Sequence, residues 1–166
     1  MKINFGCGKD IREGYINVDI QIGKGIDKSY NFDEFPYPHK DNEFDYVYCN
    51  NVLEHLKYPD KVLKELHRIT RKKGTIYIRV PYVKSLLAWN DLTHRHYFNL
   101  RSMEQLIKGH DRYEHKEKNL FNIISMRLRP TFYGKLFPKF LRKYVNYIFT
   151  EIFDMVEVEL EVKKNE

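Results

Sequence analysis

The sequence predicts an α/β fold built on an open sheet that is parallel in its middle. Three observations predict it. Short β-branched and aromatic runs recur along the chain, each closed by glycine, proline or polar residues. A segment of helical periodicity within residues 52–74 lies between two such runs, long enough for a parallel crossover. The run Met155–Val162 alternates apolar and acidic residues, the pattern of an antiparallel strand with one wet face.

The elements follow in order. Ile3–Phe5 is a short apolar run ended by Gly6, and Tyr15–Ile20 is β-branched and aromatic after Gly14. Only residues 9–14 separate the glycine loop from this second run. A standard crossover needs ~10–12 residues including its helix, so the first crossover helix is expected to be shortened or missing. Asp27–Phe32 is a weak third strand, and Pro36 and Pro38 make the following stretch a loop. Phe44–Asn51 reads as a strand with a polar end. Val62, Leu63, Leu66 and Ile69 then form one helical stripe, with Pro59 in the first turn. Arg71, Lys72 and Lys73 are placed near the helix C-terminus, with Gly74 as its stop. Thr75–Tyr82 is a strand, Leu100–Gly109 a short helix capped by Asn99, and Leu120–Pro130 a strand. The alternation of residues 155–162 suits an edge strand.

Length and composition narrow the class. The 166 residues suggest one domain, and 15% aromatic content allows a sizeable core. No apolar run is long enough to cross a bilayer, and no charged-then-apolar signal segment opens the chain. Cys7 and Cys49 form no disulfide framework and lack metal spacing, so they read as small core residues of a reduced, cytoplasmic protein. The net charge of +6 is uneven: residues 84–147 hold 13 Lys and Arg against 5 Asp and Glu. That excess favours an anionic partner surface.

In open α/β sheets, ligands bind outside the carboxyl ends of the strands. The rule selects Gly6-Cys7-Gly8, Asp19-Ile20, Cys49-Asn50-Asn51 and Pro81-Tyr82, and Phe5, which precedes the first of these, is a further cofactor-binding candidate. Glycine past a strand lets the backbone approach a ligand closely. A carboxylate ending the next strand can accept two hydrogen bonds from a ribose diol. Gly6, Gly8 and Asp19 supply both features, although Gly-x-Gly also arises by chance and Asp is a common turn former.

Four segments, INFGCG, NVDI, FDYVYCNNVLEHL and LKELHRITRKKGTIYIRVP, occur in an order that resembles class I S-adenosylmethionine-dependent methyltransferases. The resemblance is to the small type 11 group and covers residues 2–106. Asp91, Thr93, His94 and Phe98 match a later Asp-x-Thr-His element of that group, while Arg71-Lys72-Lys73-Gly74 replaces its usual Pro-Gly turn. The resemblance implies a Rossmann-like sheet with an antiparallel C-terminal strand, S-adenosylmethionine as cofactor, and methyl transfer as activity. It implies that Gly6 and Gly8 meet the amino-acid end of the cofactor, Asp19 holds the ribose, Ile20 covers the adenine, and Asp33, beside Glu34, receives its amino group. Asn50 and Asn51 would lie under the sulfonium and His55 near the methyl group. Asp33 reads equally as a loop cap, and Glu54-His55 as the end of a helical turn.

A base assists methyl transfer to a hydroxyl or protonated amine. His55, His94 and His96 are candidates because imidazole titrates near neutrality, and Tyr82 and Tyr97 could line the acceptor pocket. His94 and His96 would share a face on a strand, but no third ligand follows at a telling spacing, so no metal site is expected. Residues 1–83 would form the cofactor half and 84–166 the acceptor half, with a basic aromatic segment at 126–149. Within it, residues 126–144 hold six basic residues, five aromatics and no acid. That composition fits a solvated face over a core, an acceptor lid, an anionic membrane surface or nucleic acid. The expected acceptor is a small molecule or glycan. The alternatives are a binding module without catalysis and an RNA-directed methyltransferase. A homodimer could complete the thinned cofactor pocket.

Overall fold

A computed structural model describes residues 1–109 and 120–164 of the chain. Its elements are β1 (Lys2–Phe5), β2 (Ile16–Asp19), β3 (Lys28–Ser29), β4 (Phe44–Asn50), α1 (Pro59–Ile69) and β5 (Thr70–Pro81). There follow α2 (Leu86–Trp89), α3 (Leu100–Lys108), β6 (Phe121–Pro130), α4 (Phe132–Lys135), α5 (Lys139–Ile148) and β7 (Phe153–Val162). The strands form one sheet in the order β3-β2-β1-β4-β5-β7-β6. The pairs from β3 to β5 are parallel, and β7 runs antiparallel to both β5 and β6. No helix among the described residues is long and apolar enough to cross a membrane.

The core sits between the sheet and α1. Val62, Leu63, Leu66 and Ile69 are buried on the helix, as their spacing predicts, against Ile76, Ile78 and Val80 of β5 and Val47 of β4 in one cluster. Pro59 occupies the first turn, where its missing N–H costs nothing. Asn99 caps α3 in a reciprocal pair with Ser102.

The connection from β1 to β2 has no helix. Residues 6–15 are all described and consist of turns and irregular backbone. Two buried asparagines hold them. Asn4 Nδ2 donates to the Asp10 carbonyl (2.6 Å) and to Asn17 Oδ1 (3.0 Å). Asn17 Oδ1 also accepts from Arg12 N (2.9 Å), and Asn17 Nδ2 donates to the Arg12 carbonyl (3.1 Å). A buried backbone group without a partner costs roughly 1–3 kcal/mol. The pair therefore gives the turn's polar groups the partners that a helix would supply internally. The Arg12 guanidinium lies over the Tyr48 ring of β4, 3.7 Å from its centre.

Two expectations are corrected. The helix does not reach Gly74: it ends at Ile69, and Thr70 is already extended. The β-branched Thr70 donates its hydroxyl to the Leu66 carbonyl (2.6 Å), so Arg71–Gly74 belong to β5. Gly74 is needed for close approach, because a Cβ there would lie 2.6 Å from Thr70 Cγ2 and 3.1 Å from the Asp45 carbonyl oxygen. Nor is β7 an edge strand. It lies between β5 and β6, and its alternation reports a polar sheet face on which the buried Glu157 pairs with the exposed Arg127 (3.0 Å).

The loop after β3 is clamped to α1. Glu65 Oε2 accepts from Tyr37 N (2.7 Å) and from Arg68 Nη2 (2.8 Å), while Arg68 also donates to the Tyr37 and His39 carbonyls. Burial alone would raise the Glu65 carboxyl, but Arg68 and the Tyr37 N–H outweigh it and hold it below its usual value. A depressed carboxyl stabilises the fold above its unfolded pKa and loses that contribution as pH falls through the folded value. Urea denaturation should therefore show Glu65→Gln less stable than wild type at pH 7. The gap should narrow below pH ~4.3, the unfolded glutamate value. A gap constant with pH would contradict the clamp.

Candidate functional site

A cleft of about 840 Å³ opens at the carboxyl ends of β1, β2 and β4. Its size suits a small-molecule ligand. Gly6, Gly8, Asp19, Ile20, Asp33, Asn51 and His55 all line it. The glycine bend and the acidic strand end therefore face one hollow.

The bend is fixed by β2. Gly6 N and Cys7 N both donate to the Val18 carbonyl (2.9 and 3.0 Å). Gly6 has φ +72°, and a Cβ there would lie 2.2 Å from Val52 Cγ2. Gly8 has φ +50° and nothing within 4 Å of a built Cβ, so its surroundings are open. Gly8 N donates to Asp19 Oδ2 (2.7 Å), and Gln21 N donates to Asp19 Oδ1 (3.0 Å). Each carboxylate oxygen accepts one N–H and keeps a second lone pair. Ile20 stands 60% exposed in the cleft, an apolar surface next to that acceptor.

The far wall comes from two segments. Asp33 lines the cleft and also ties it to the start of α1: Oδ1 accepts from Lys57 N (2.9 Å) and Tyr58 N (3.3 Å). Residues 92–95 form the other part, docked by donation from Arg95 N and His96 N to the Glu54 carbonyl (2.7 and 3.1 Å). On the side left open by the missing helix, a groove of about 490 Å³ shares Gly8, Asp19 and Gln21 with the cleft.

The histidines are held in defined ways. His55 Nδ1 meets Thr93 Oγ1 at 2.8 Å, and that hydroxyl donates to Asp91 Oδ1 at 2.6 Å. The Thr93 oxygen is thus the acceptor for His55 Nδ1–H, which leaves Nε2 with its lone pair. His94 Nδ1 donates to the Ala88 carbonyl (2.8 Å), with the same result. The two rings lie 4.7 Å apart, edge to face. Burial and then the neighbouring His94 push His55 below its usual pKa. Glu54, 1% exposed, is pushed up to about 8 by burial.

Other expected residues lie elsewhere. Phe5 is fully buried and stacks on Phe32 (4.0 Å), supporting the cleft from below. Cys7 is buried, which raises its thiol, with the Asp19 charge adding to the effect. Glu34 is exposed and accepts from Asn31 (3.0 Å), and Asn50 accepts from Arg79 Nε. Tyr82 is buried and accepts from Asn146 Nδ2 (3.0 Å) beside a second cleft of about 610 Å³, bordered by Arg127, Lys139, Arg142 and Lys143. His96 Nε2 is buried without a partner among the described residues. Tyr97 stacks on Trp89 at 4.2 Å, both part-exposed. Sequence reasoning did not place Gln21, Asn31, Thr93 or Arg95 in the cleft. Only Thr93 carried a signal, its place in the Asp-x-Thr-His element.

Comparison with known proteins gives a consistent picture. A sequence profile described as a methyltransferase domain matches residues 3–111. An uncharacterized protein of Methanocaldococcus jannaschii is 32% identical over 96 residues, a match spanning 51% of this chain and 42% of that protein's length. The fold is similar to a SAM-dependent methyltransferase from Archaeoglobus fulgidus, with a TM-score of 0.66 and 16% identity over 96% of this chain and 85% of that one. It is also similar to a chain in the complex between the Haloferax volcanii Trm112 methyltransferase activator and a methyltransferase. There the TM-score is 0.66 and identity is 13% over 99% of this chain and 82% of that one.

The contact between Gly6 and Val52 can be tested directly. Gly6→Ala should destabilise the protein by about 1–3 kcal/mol in urea denaturation, through positive φ and the clash. Val52→Ala in the same chain should restore part of that loss, since only the clash is relieved. Strictly additive effects of the two substitutions would contradict the contact.

Proposed function

Because the chain belongs to the methyltransferase-domain family, we propose that it transfers a methyl group from S-adenosylmethionine to a small-molecule or glycan-type acceptor. The observation that carries this reading is the shared cleft of Gly6, Gly8 and Asp19. The residues fit the cofactor. The Asp19 carboxylate has an acceptor site left on each oxygen for a ribose diol. Ile20 offers an apolar face for adenine, and Gly8 leaves room for the backbone to meet the amino-acid end. Asp33 accepts from the backbone before α1, so its primary role is to set that wall.

The cofactor supplies an activated methyl group on a good leaving group. The protein's part is then alignment and exclusion of water. Residues 92–95 and Asn51 close the cleft on the side of His55, where an acceptor would enter. Trp89 and Tyr97 belong to the same stretch, and their stacked, part-exposed rings suit an amphipathic ring such as a sugar. A binding module without catalysis is the second reading, favoured by the groove where the first crossover helix is missing.

Isothermal titration with S-adenosylmethionine and S-adenosylhomocysteine tests the proposal. Both should bind, and Asp19→Ala should weaken S-adenosylhomocysteine by roughly ten- to hundredfold, the loss of about 1.5–3 kcal/mol expected for hydrogen bonds to a charged group. No heat from folded protein at millimolar ligand would reject the cofactor assignment. Binding without methylation of any acceptor in a mixed sugar and metabolite extract would favour the second reading.

A further inference from the structure

Beside the cofactor cleft lies a smaller cavity of about 270 Å³, bordered by Asn51, Glu54, His55, Pro81, Asp91 and His94. One donor atom each of Glu54, His55 and His94 lies within 4.8 Å of the others. Glu54 is 1% exposed, yet neither carboxylate oxygen has a hydrogen-bond partner among the described residues. A buried carboxylate without a partner is costly unless a proton or a cation meets it. The two histidines beside it are prepared in the way metal ligands are. Each has Nδ1 engaged, His55 with Thr93 and His94 with the Ala88 carbonyl, so each keeps the Nε2 lone pair. Behind His55 stands a hydroxyl that is itself fixed by a carboxylate, Thr93 on Asp91. Such outer partners orient a ligating imidazole and raise its basicity.

We propose that Glu54, His55 and His94 bind one divalent transition-metal ion, and that its remaining positions take an oxygen of the methyl acceptor. Two imidazoles and one carboxylate suit Zn²⁺, Mn²⁺, Fe²⁺ or Co²⁺ better than Mg²⁺ or Ca²⁺, which prefer oxygen donors alone. Three protein ligands leave at least one position open. The cavity shares Asn51 and His55 with the cofactor cleft, so the open position adjoins the place where the methyl group would arrive. The acceptor is then an alcohol, whose oxygen an ion can hold and whose proton it can acidify. Ion binding stands on the three side chains alone; the acceptor role rests on the methyl-transfer reading.

The experiment uses the full chain treated with chelator, titrated with Co²⁺ and followed by visible absorption and equilibrium dialysis. One ion should bind per chain, and Zn²⁺ should displace it and bleach the band. Glu54→Gln and His94→Ala should each weaken Co²⁺ by more than about tenfold, and Thr93→Val by about tenfold, through the lost orientation of His55. His67→Gln, on α1 against Phe121 and outside the cavity lining, should bind as wild type. Absence of saturable binding, or affinity unchanged in Glu54→Gln and His94→Ala, would overturn the site. Circular dichroism checks that each variant folds, and His55→Ala, whose ring is half-buried, replaces any that does not. S-adenosylhomocysteine titrated into the chelated chain separates the two ideas. Ion binding without cofactor binding keeps the site and removes its acceptor role; cofactor binding without ion binding removes the site alone.

Discussion

The structure depends on a pair of buried asparagines. Asn4 and Asn17 sit side by side on neighbouring strands, 2% and 4% exposed, and bond each other and the turn between them. Parallel strands ordinarily need a helix to return the chain, because the connection must cross from one end of the sheet to the other. Here the chain returns through residues 6–15 without one. An extended path of that length covers the distance, and where the largely exposed turn passes over the buried amides of Asn4 and Asn17, those amides and the turn's peptide groups need each other as partners. An apolar residue in place of Asn4 would leave the Asp10 carbonyl without its bond, and one in place of Asn17 would leave the Arg12 N–H and carbonyl without theirs.

This constraint reaches the site through short, direct links. The turn fixes Gly6 and Cys7 on the Val18 carbonyl and Gly8 on the Asp19 carboxylate. The glycine bend and the acid are thus one bonded unit rather than two features that happen to face each other. Val52, from the segment after β4, presses on the bend where only a glycine leaves room. The Glu65 and Arg68 clamp sets the wall that carries Asp33. The same economy leaves a groove on the cofactor side of the cleft, where a helix would stand.

Much of this was legible in the sequence where the signal is local. The stripe of Val62, Leu63, Leu66 and Ile69, the Asn99 cap and the run of residues 75–81 are patterns within one element, and each appears as expected. The short gap between Gly8 and Tyr15 already left room for a shortened crossover helix at most. What periodicity cannot carry is competition between neighbours. Thr70 turns the chain to strand four residues before the glycine that resembles a helix stop, because its hydroxyl closes the last turn itself. Alternation in β7 told of a polar face and could not tell an edge from an interior strand covered by β6. The helices α4 and α5 were not assigned, since their aromatic residues stay exposed and blur the apolar face. Of the cleft lining, Gly6, Gly8, Asp19, Ile20 and Asn51 followed from the topology rule, while Cys7, Cys49, Asn50 and Tyr82, selected by the same rule, lie elsewhere. The Glu54, His55 and His94 cluster did not follow, because its members join across some forty positions of chain while His94 and His96, two residues apart in sequence, part company.

The most direct measurement is the amide spectrum of the ¹⁵N-labelled chain as S-adenosylhomocysteine is added. The account predicts that the largest shifts fall on Gly6, Gly8, Gln21 and Asn51, whose N–H groups or side chains border the cleft around Asp19. Shifts confined to the second cleft, at Arg127, Lys139 and Tyr147, with the glycine bend unmoved, would contradict it.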